Sequence, residues 1–228
     1  SLGTTKRTNT NPEGDTRLEI VRSGNKMIDR VCWGMMFAHD INVYQQLEHP
    51  RGSFIKKYPP FNKACDYIGA HEVSFSMGNF YGESQKVHFL IGTTPWLDTI
   101  LRVNFYLGRL VRSWRENNAV PLKVVAQTKT SRNSGKKWAT ADKDLAADSA
   151  VYTRHYGFLI ACLMGRHMEN LIYDVAWRAL DDDDVWQLAV QVYSYQPEER
   201  PRSERKRKHP PTSIAVSYTH LRAHETDY

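Results

Sequence analysis

The sequence predicts an α/β protein, because stretches with helical periodicity alternate with short apolar runs that are typical of strands. Helical spacing of apolar residues is clearest over 17–38 and 97–114. Four apolar runs have the length of strands: 43–47, 73–77, 87–91 and 122–126. The chain has 228 residues, which is enough for one domain with its own core, or for one domain with an appendage.

The composition is that of a globular protein in which basic residues outnumber acidic ones. Hydrophobic residues make up 41% of the chain, charged residues 25%, and the net charge is +6, which favours polyanionic partners. The longest apolar run is well short of the ~20 residues that span a bilayer, so we expect no membrane association. Three cysteines cannot form a disulfide framework and their spacing fits no zinc site, which predicts an intracellular, reducing compartment and no bound metal.

The first half of the chain alternates between loops, helices and strands. Residues 1–16 are polar and predict a lead-in loop, and the helix over 17–38 follows because its apolar residues recur every three or four positions. The next helix begins at Pro59-Pro60 or is broken there, since proline fits only the first turn of a helix. Residues 78–86 are expected to turn the chain between two strands.

The second half is helical around one basic segment. Residues 127–149 predict a basic loop, because 127–138 is polar, contains no acid and carries four basic residues: Lys129, Arg132, Lys136 and Lys137. C-terminal helices are expected over 150–195: either one helix over 150–180 or two that part near Gly165, and then a last helix. The acidic run Asp181–Asp184 is expected to cap the last of them, since carboxylates favour a helix N-terminus.

Both ends of the chain are atypical. It starts without Met or a signal sequence, and we expect it to be N-terminally truncated. Residues 196–215 are rich in proline and arginine, which predicts a disordered basic tail. Its run Arg205–Lys208 is typical of a nucleic-acid arm or a nuclear localisation signal, and it predicts a nuclear protein if the source is eukaryotic. Residues 216–228 resemble the translation of a sequencing-library adapter and are excluded from functional interpretation.

Two motifs have the residue types and placement to carry chemistry. Glu48 follows a strand-type run, and ligands of open α/β sheets bind beyond the carboxyl ends of strands. The alternative is a solvated turn acid. The second motif is the glycine-containing turn Tyr81–Lys86, which delivers Gln85 and Lys86 to the start of a strand. Its alternative is an ordinary turn between two strands.

In this order the motifs resemble the second half of the catalytic domain of C5-cytosine DNA methyltransferases. That family has a Glu-Asn-Val or Glu-Asn-Pro tripeptide after a strand, then a Tyr-Gly-Val-Pro-Gln turn, a pair of arginines and a strand ending in Gly. The matching segments are Glu48–Pro50, Tyr81–Gln85 and Ile91-Gly92. The sequence is more similar to a divergent, methyltransferase-like group associated with mobile elements of protists, whose Arg-x-Gly-Asn motif is matched by Arg22–Asn25. The resemblance covers roughly residues 12–100.

The resemblance implies a fold, a reaction and a set of site residues. The fold is a partial Rossmann-like, methyltransferase-type sheet with flanking helices over 17–126. The reaction begins with extrusion of a cytosine from DNA. A cysteine thiolate then attacks C6 of the base, and C5 takes the methyl group of S-adenosylmethionine. Glu48 matches the carboxyl group that binds ring nitrogen N3 and is the catalytic candidate. Five further residues are implied as substrate-binding: Arg51, Ser53, Gln85, Lys86 and His88.

Several features depart from the family pattern. The Pro-Cys nucleophile loop and the glycine-rich cofactor strand of the family lie upstream of the matched region and are not found in this chain. The three cysteines follow no proline, and we expect them to be inert apolar residues: Cys32, Cys65 and Cys162. His49 replaces the Asn that follows the family's Glu, and Lys86 and His88 replace its arginine pair. We therefore expect this chain to be inactive alone, with S-adenosylmethionine bound only by a full-length parent.

Two other classes of function stay open. One is a nucleic-acid-binding module of a mobile element without catalytic activity, in which the basic segment 127–149 and Trp138 contact phosphates and bases. DNA is the expected partner and RNA the alternative. The other is an unrelated α/β interaction protein, in which Glu48, Gln85 and Lys86 are scattered over the structure.

Overall fold

The structure is a computed structural model that describes residues 5–123, 126–130, 137–141 and 152–196, with the last two strands described as backbone only. Five α-helices and five strands lie within these ranges. In chain order they are α1 (Glu19–Asp40), β1 (Gln46–Pro50), α2 (Pro59–Ile68), β2 (His71–Ser76), β3 (Val87–Gly92), α3 (Leu97–Asn117), β4 (Ala126–Thr130), β5 (Lys137–Ala141), α4 (Arg154–Ile172) and α5 (Asp182–Ser194).

The main sheet has three strands in the order β1–β3–β2. The central strand β3 pairs antiparallel with both neighbours, so that β1 and β2 run in the same direction and are joined through α2. The register places Glu48 opposite Leu90 and Phe75 opposite His88. The α/β class predicted from the sequence is confirmed. A Rossmann-like sheet is not confirmed, because every pairing within this three-stranded sheet is antiparallel and a Rossmann sheet is mostly parallel.

Two hydrophobic cores lie on opposite faces of this sheet. Because side chains alternate along a strand, β3 sends Phe89 and Ile91 to one face and Leu90 to the other. The first face is covered by α1 and α2. The second is covered by α3, α4 and α5, whose buried residues include Ile100, Leu159 and others of the same core. The domain is therefore a three-layer α/β/α arrangement.

The helix boundaries follow the local signals of the sequence. Helix α2 begins at Pro59, as expected, and ends at Gly69, whose positive φ of 61° suits a glycine. Asp181 caps α5, because its carboxylate accepts the backbone N–H of Asp184 at 2.8 Å. Helix α4 continues through Gly165 as a single helix, which is one of the two possibilities that the sequence left open. Its buried residues Tyr156, Leu159 and Leu163 all precede this glycine.

Three segments differ from the sequence-based expectation. The first strand lies at 46–50 rather than 43–47. In the expected strand 122–126, Lys123 forms an isolated bridge with Ser84, and Ala126 is the first residue of β4. From Gln127 onward, β4 and β5 lie within the expected basic loop 127–149 and pair antiparallel, because extended segments gain backbone hydrogen bonds by pairing. The expectations for the basic tail and for 216–228 lie outside the described residues.

Within the described ranges, no helix combines the length and the apolar character that crossing a membrane requires.

Gly92 faces the backbone of the segment that leads into β1 too closely for a larger residue, and this gives a stability prediction. A Cβ atom at this position would collide with the carbonyl of Gln45 and lie 2.9 Å from the Cα of Gln46. We expect Gly92→Ala to destabilise the fold by about 2–3 kcal/mol or more, because the obstructing atoms are backbone and cannot rotate away. The measurement is the free energy of unfolding in urea. Gly34→Ala is the control: this α1 glycine has open space around it, and the change is expected to stabilise the protein by up to about 1 kcal/mol.

Candidate functional site

The central feature of the site is a direct contact between the Glu48 carboxylate and the Nδ1 atom of His88. Glu48 lies on β1 opposite Leu90, and His88 is two residues before Leu90 on β3. Residues at this diagonal spacing lie on the same face of an antiparallel pair, within reach of long side chains. The register of the sheet therefore brings together two residues that are 40 positions apart in the sequence.

The pair is buried, and one of its atoms has no partner. His88 is 4% exposed, and the side chain of Glu48 retains 19% exposure. The Nε2 atom of His88 is shielded from solvent and forms no hydrogen bond. Because most buried polar atoms in proteins are hydrogen-bonded, an unpaired imidazole nitrogen at this depth is a reactive or ligand-binding candidate.

Aromatic rings surround His88 on the face covered by α4. Its ring centroid lies 5.8 Å from that of Phe75 and 6.4 Å from that of Tyr152. Tyr156 stacks on Phe75 at 5.1 Å and on Tyr152 at 5.6 Å. Thr153 caps α4 by accepting the N–H of Tyr156 at 3.2 Å, and so fixes where this helix begins against the sheet. The result is a cluster of aromatic rings beside one polar pair.

Polar groups extend from Glu48 toward the other end of β1. Burial raises the pKa of Tyr156, and the nearby Glu48 carboxylate raises it further. The Gln46 side chain forms a hydrogen bond with the same tyrosine and accepts the hydroxyl of Thr94 at 3.3 Å. Tyr156 is therefore a neutral phenol beside the carboxylate at ordinary pH. Sequence reasoning missed Gln46, Tyr152 and Tyr156; the one signal in the sequence is that the two tyrosines are four positions apart.

His49, the neighbour of Glu48, belongs to the opposite face of the sheet. It stacks on Phe89 at 5.8 Å, and its Nε2 lies 3.5 Å from the Ser53 hydroxyl. That hydroxyl also accepts the N–H of Ile55 and so caps a short 3₁₀ helix at 54–57. Ser53 therefore holds local structure through these contacts. Arg51 is exposed, and its backbone N–H donates to the carbonyl of Val87 at 3.0 Å.

Gln85 and Lys86 lie in the turn that leads into β3. Gln85 is exposed and Lys86 is half-buried. The Lys86 carbonyl accepts the N–H of Met77 at 3.1 Å, which closes the turn against the end of β2. This turn lies at the end of the sheet where β1 finishes, so both motifs share one edge. Among the implied substrate-binding residues, His88 contacts Glu48 directly.

The Arg22–Asn25 motif has a structural role. The Asn25 side chain accepts the Arg7 guanidinium at 2.6 Å and donates to the carbonyl of Glu13 at 3.1 Å. These bonds attach the lead-in segment to α1. Gly24 leaves room for this contact, since a Cβ there would lie 3.4 Å from the Arg7 guanidinium.

The cysteines have the character of protonated thiols. Burial raises the pKa of Cys32 and of Cys65 to about 11 in each case, and it raises the pKa of Cys162 as well. Cys32 is buried, whereas Cys65 and Cys162 are half-buried. A thiol must lose its proton to act as a nucleophile, so these environments disfavour the attack on C6 that the family chemistry requires.

Two of the four basic residues that the sequence predicts to bind nucleic acid lie in the described part of the structure. Lys129 lies on β4 and Lys137 on β5, and the register pairs Lys129 with Trp138. Arg132 and Lys136 lie outside the described residues. In the described part of the chain, no group of three or more His, Cys, Asp or Glu residues is arranged to hold a metal ion.

Comparison with protein-family models, with curated proteins and with solved structures gave no match to this chain.

The burial of the Glu48–His88 pair leads to a stability prediction. Glu48→Ala removes the partner of a buried imidazole and is expected to cost about 1–3 kcal/mol, because both ring nitrogens then lack a hydrogen bond. The control is Glu83→Ala, which breaks a 2.7 Å pair with Lys123 whose side chains are half exposed, and which should cost less than about 1 kcal/mol. Urea unfolding of both variants provides the measurement. Equal losses would show that the buried pair has no special energetic role.

Proposed function

We propose that this chain is part of a C5-cytosine DNA methyltransferase-like protein and that Glu48 and His88 belong to its pyrimidine pocket. The observation that supports this most directly is the contact between the two side chains. The resemblance assigns Glu48 to the position of the family's carboxyl group and His88 to the position of its arginine pair. These two motifs are far apart in the sequence, and they meet in one buried site.

The sheet is compatible with a methyltransferase-type, Rossmann-like arrangement in a larger domain. The strands β1 and β2 have the same direction and are connected by α2, with helices on both faces of the sheet. Many doubly wound folds carry an antiparallel strand at the edge of an otherwise parallel sheet, and β3 differs from these because it lies between β1 and β2. Within the described residues β1 pairs on one side with β3, and further parallel strands would add on its other side.

The pocket residues would bind the extruded base without breaking a covalent bond themselves. A carboxyl group and an imidazole side by side supply both a hydrogen-bond acceptor and a proton carrier for a pyrimidine edge. Phe75 and Tyr152 supply flat apolar surfaces against which a base can stack. The environment therefore suits recognition of a planar heterocycle with polar atoms along one edge.

S-adenosylmethionine would supply the methyl group in the full-length parent. The described residues do not fit this cofactor, because neither β1 nor β2 leads into the glycine-rich strand–helix turn that a nucleotide-type cofactor favours. Instead β1 leads to the 3₁₀ helix at 54–57 and β2 to another at 77–80. We therefore assign no step to S-adenosylmethionine within this chain, and we propose that the fragment is inactive alone.

Methyl transfer by the complete protein tests the proposal. The gene segment upstream of Ser1 is expected to encode a Pro-Cys loop and a glycine-rich cofactor strand. In the protein expressed from the complete gene, Glu48→Gln is expected to lower methyl transfer from radiolabelled S-adenosylmethionine to DNA by about 100-fold or more, because the general acid is lost. Glu83→Gln, at an exposed position, is the control and should retain activity. A complete gene without the thiol loop would rule out the methyltransferase assignment.

A second candidate function is nucleic-acid binding without catalysis, as in a module of a mobile element. The observation that favours it is the β4–β5 ribbon, whose strands carry Lys129 and Lys137. A two-stranded ribbon has the dimensions to enter the major groove of DNA, and its lysines would neutralise phosphates. The basic run at 205–208 would then direct the protein to the nucleus of a eukaryotic source.

Salt dependence distinguishes this second function. We expect DNA affinity to fall linearly with the logarithm of salt concentration, and Lys129→Ala or Lys137→Ala each to reduce the slope by about one, since each removes one phosphate contact. Fluorescence anisotropy with a labelled duplex measures the slope. Lys63→Ala, which changes an exposed lysine on α2, is the control and should leave the slope unchanged. Loss of DNA binding on Glu48→Gln, with the lysine variants unaffected, would contradict the ribbon assignment.

A further inference from the structure

We propose that the outer face of α4 is a docking surface for a second copy of this chain, so that two copies form a symmetric dimer. The inference goes beyond the proposed function and does not depend on it. The outer face is defined by six uncharged residues: Gly157, Ala161, Met164, Gly165, Met168 and Ile172. Because they recur every three or four positions, they share one side of the helix.

Helix α4 is apolar on two sides. On one side, three residues are buried in the core that the helix shares with the sheet and α5: Tyr156, Leu159 and Leu163. On the outer face the large apolar residues stay exposed, up to 73% for Ile172. Helices that are apolar all round are normally covered on every side. The outer face therefore has the composition of an interface.

The small residues of the outer face have open space above them. A Cβ atom at Gly157 or at Gly165 would meet no described atom within 4 Å apart from the backbone of its own helix, and Ala161 is exposed between them. Uncovered apolar surface of this kind marks contact sites on proteins. The face can therefore accept a neighbour without rearrangement of the described residues.

The outer face is divided into a groove and a ridge. The groove is the row of small residues at four-residue spacing: Gly157, Ala161 and Gly165. The ridge is the neighbouring row of large residues at the same spacing: Met164, Met168 and Ile172. Rows at this spacing form the ridges and grooves through which helices of globular proteins most often pack.

The ridge of one copy fits the groove of another copy. When two α4 helices lie antiparallel about a two-fold axis between residues 164 and 165, Met168 of each copy lies opposite Ala161 of the other. In the same register Ile172 lies opposite Gly157. A two-fold interface uses one patch on both copies, so this fit occurs twice. A face that supplies both the ridge and the groove is self-complementary, and this identifies a second copy as the occupant.

Charges at the ends of α4 favour the antiparallel direction. Arg154 lies at the start of the helix, and Glu169 and Asp174 lie in its last turn and just beyond it. All three are exposed. In the antiparallel pair the basic end of each copy lies toward the acidic end of the other, whereas a parallel pair would bring like charges together.

The apolar surface continues beyond the outer face. Leu171 and Tyr173 are exposed at the end of α4. Tyr44 is also exposed, and its ring centroid lies 5.2 Å from that of His167 on α4. A standard stable interface buries roughly 800 Å² on each partner. These neighbours extend the contact beyond the area of one helix face.

Sedimentation equilibrium of the 228-residue chain measures the dimer. We expect the wild type to have the mass of two chains at micromolar concentration. Ala161→Arg places a charged side chain in the groove while keeping a good helix former, and it is expected to raise the dissociation constant at least about 10-fold. Ser113→Arg, at an exposed position on α3, adds the same charge elsewhere and is expected to leave the constant unchanged.

Cysteine cross-linking tests which face the dimer uses. Gly165→Cys places a thiol beside the symmetry axis, where two copies are close enough for a disulfide to form on mild oxidation. We expect a covalent dimer on a non-reducing gel. Arg166→Cys is the control, because the next residue of the helix points away from the outer face, and it is expected to stay uncross-linked. The wild type under the same oxidation measures the background from the native cysteines.

The outcomes separate this inference from the proposed function. A wild type that stays monomeric overturns the dimer and leaves the methyl-transfer test unaffected. A dimer that is equally stable in Ala161→Arg, or that cross-links through Arg166→Cys and not through Gly165→Cys, also overturns it, because another face is then in contact. If Ala161→Arg does not fold, the cross-linking of Gly165→Cys decides.

Discussion

The structure depends on the alternation of side chains along β3, the central strand of the sheet. One set of its side chains, with Phe89 and Ile91, completes the core beneath α1 and α2, and the other set, with His88 and Leu90, faces α3 to α5. A shift of one residue in the register would exchange the two sets and place an imidazole in the first core. The same alternation brings His88 to Glu48. The same register of β3 therefore fills both cores and forms the contact between Glu48 and His88.

The local features of the fold were predictable from the sequence because their signals are local. The helix start at Pro59 and the cap at Asp181 follow from the chemistry of single residues, and both are present. The order of the strands was not predictable, because the pairing of β3 with β1 joins segments about 40 residues apart and no short-range pattern encodes it. The strands β4 and β5 are close in the sequence and were missed for a different reason: polar segments with lysines and threonines form strands only when they find a partner.

The candidate site shows the same division. Glu48 and His88 were both named from motifs, but motif reasoning gave them separate roles, and only the register shows that they touch. Ser53 was named from a motif and caps a 3₁₀ helix instead, because a serine before such a helix is favoured for its own hydrogen bond. Tyr156 was not named, since its importance comes from the helix that places it over the sheet. The residue types therefore indicated what chemistry the site can do. The pairing of the strands determined which of these residues lie together in the site.

The protonated state of the native thiols has a practical consequence for studies of motion in this protein. Since burial holds the pKa values of Cys32 and Cys65 near 11, maleimide dyes will attack an engineered surface cysteine far faster than either of them at neutral pH. Fluorophores can then be attached at chosen points of the wild-type background, with Cys32 and Cys65 left unlabelled. Distances between α4 and the sheet become measurable in single molecules in this way.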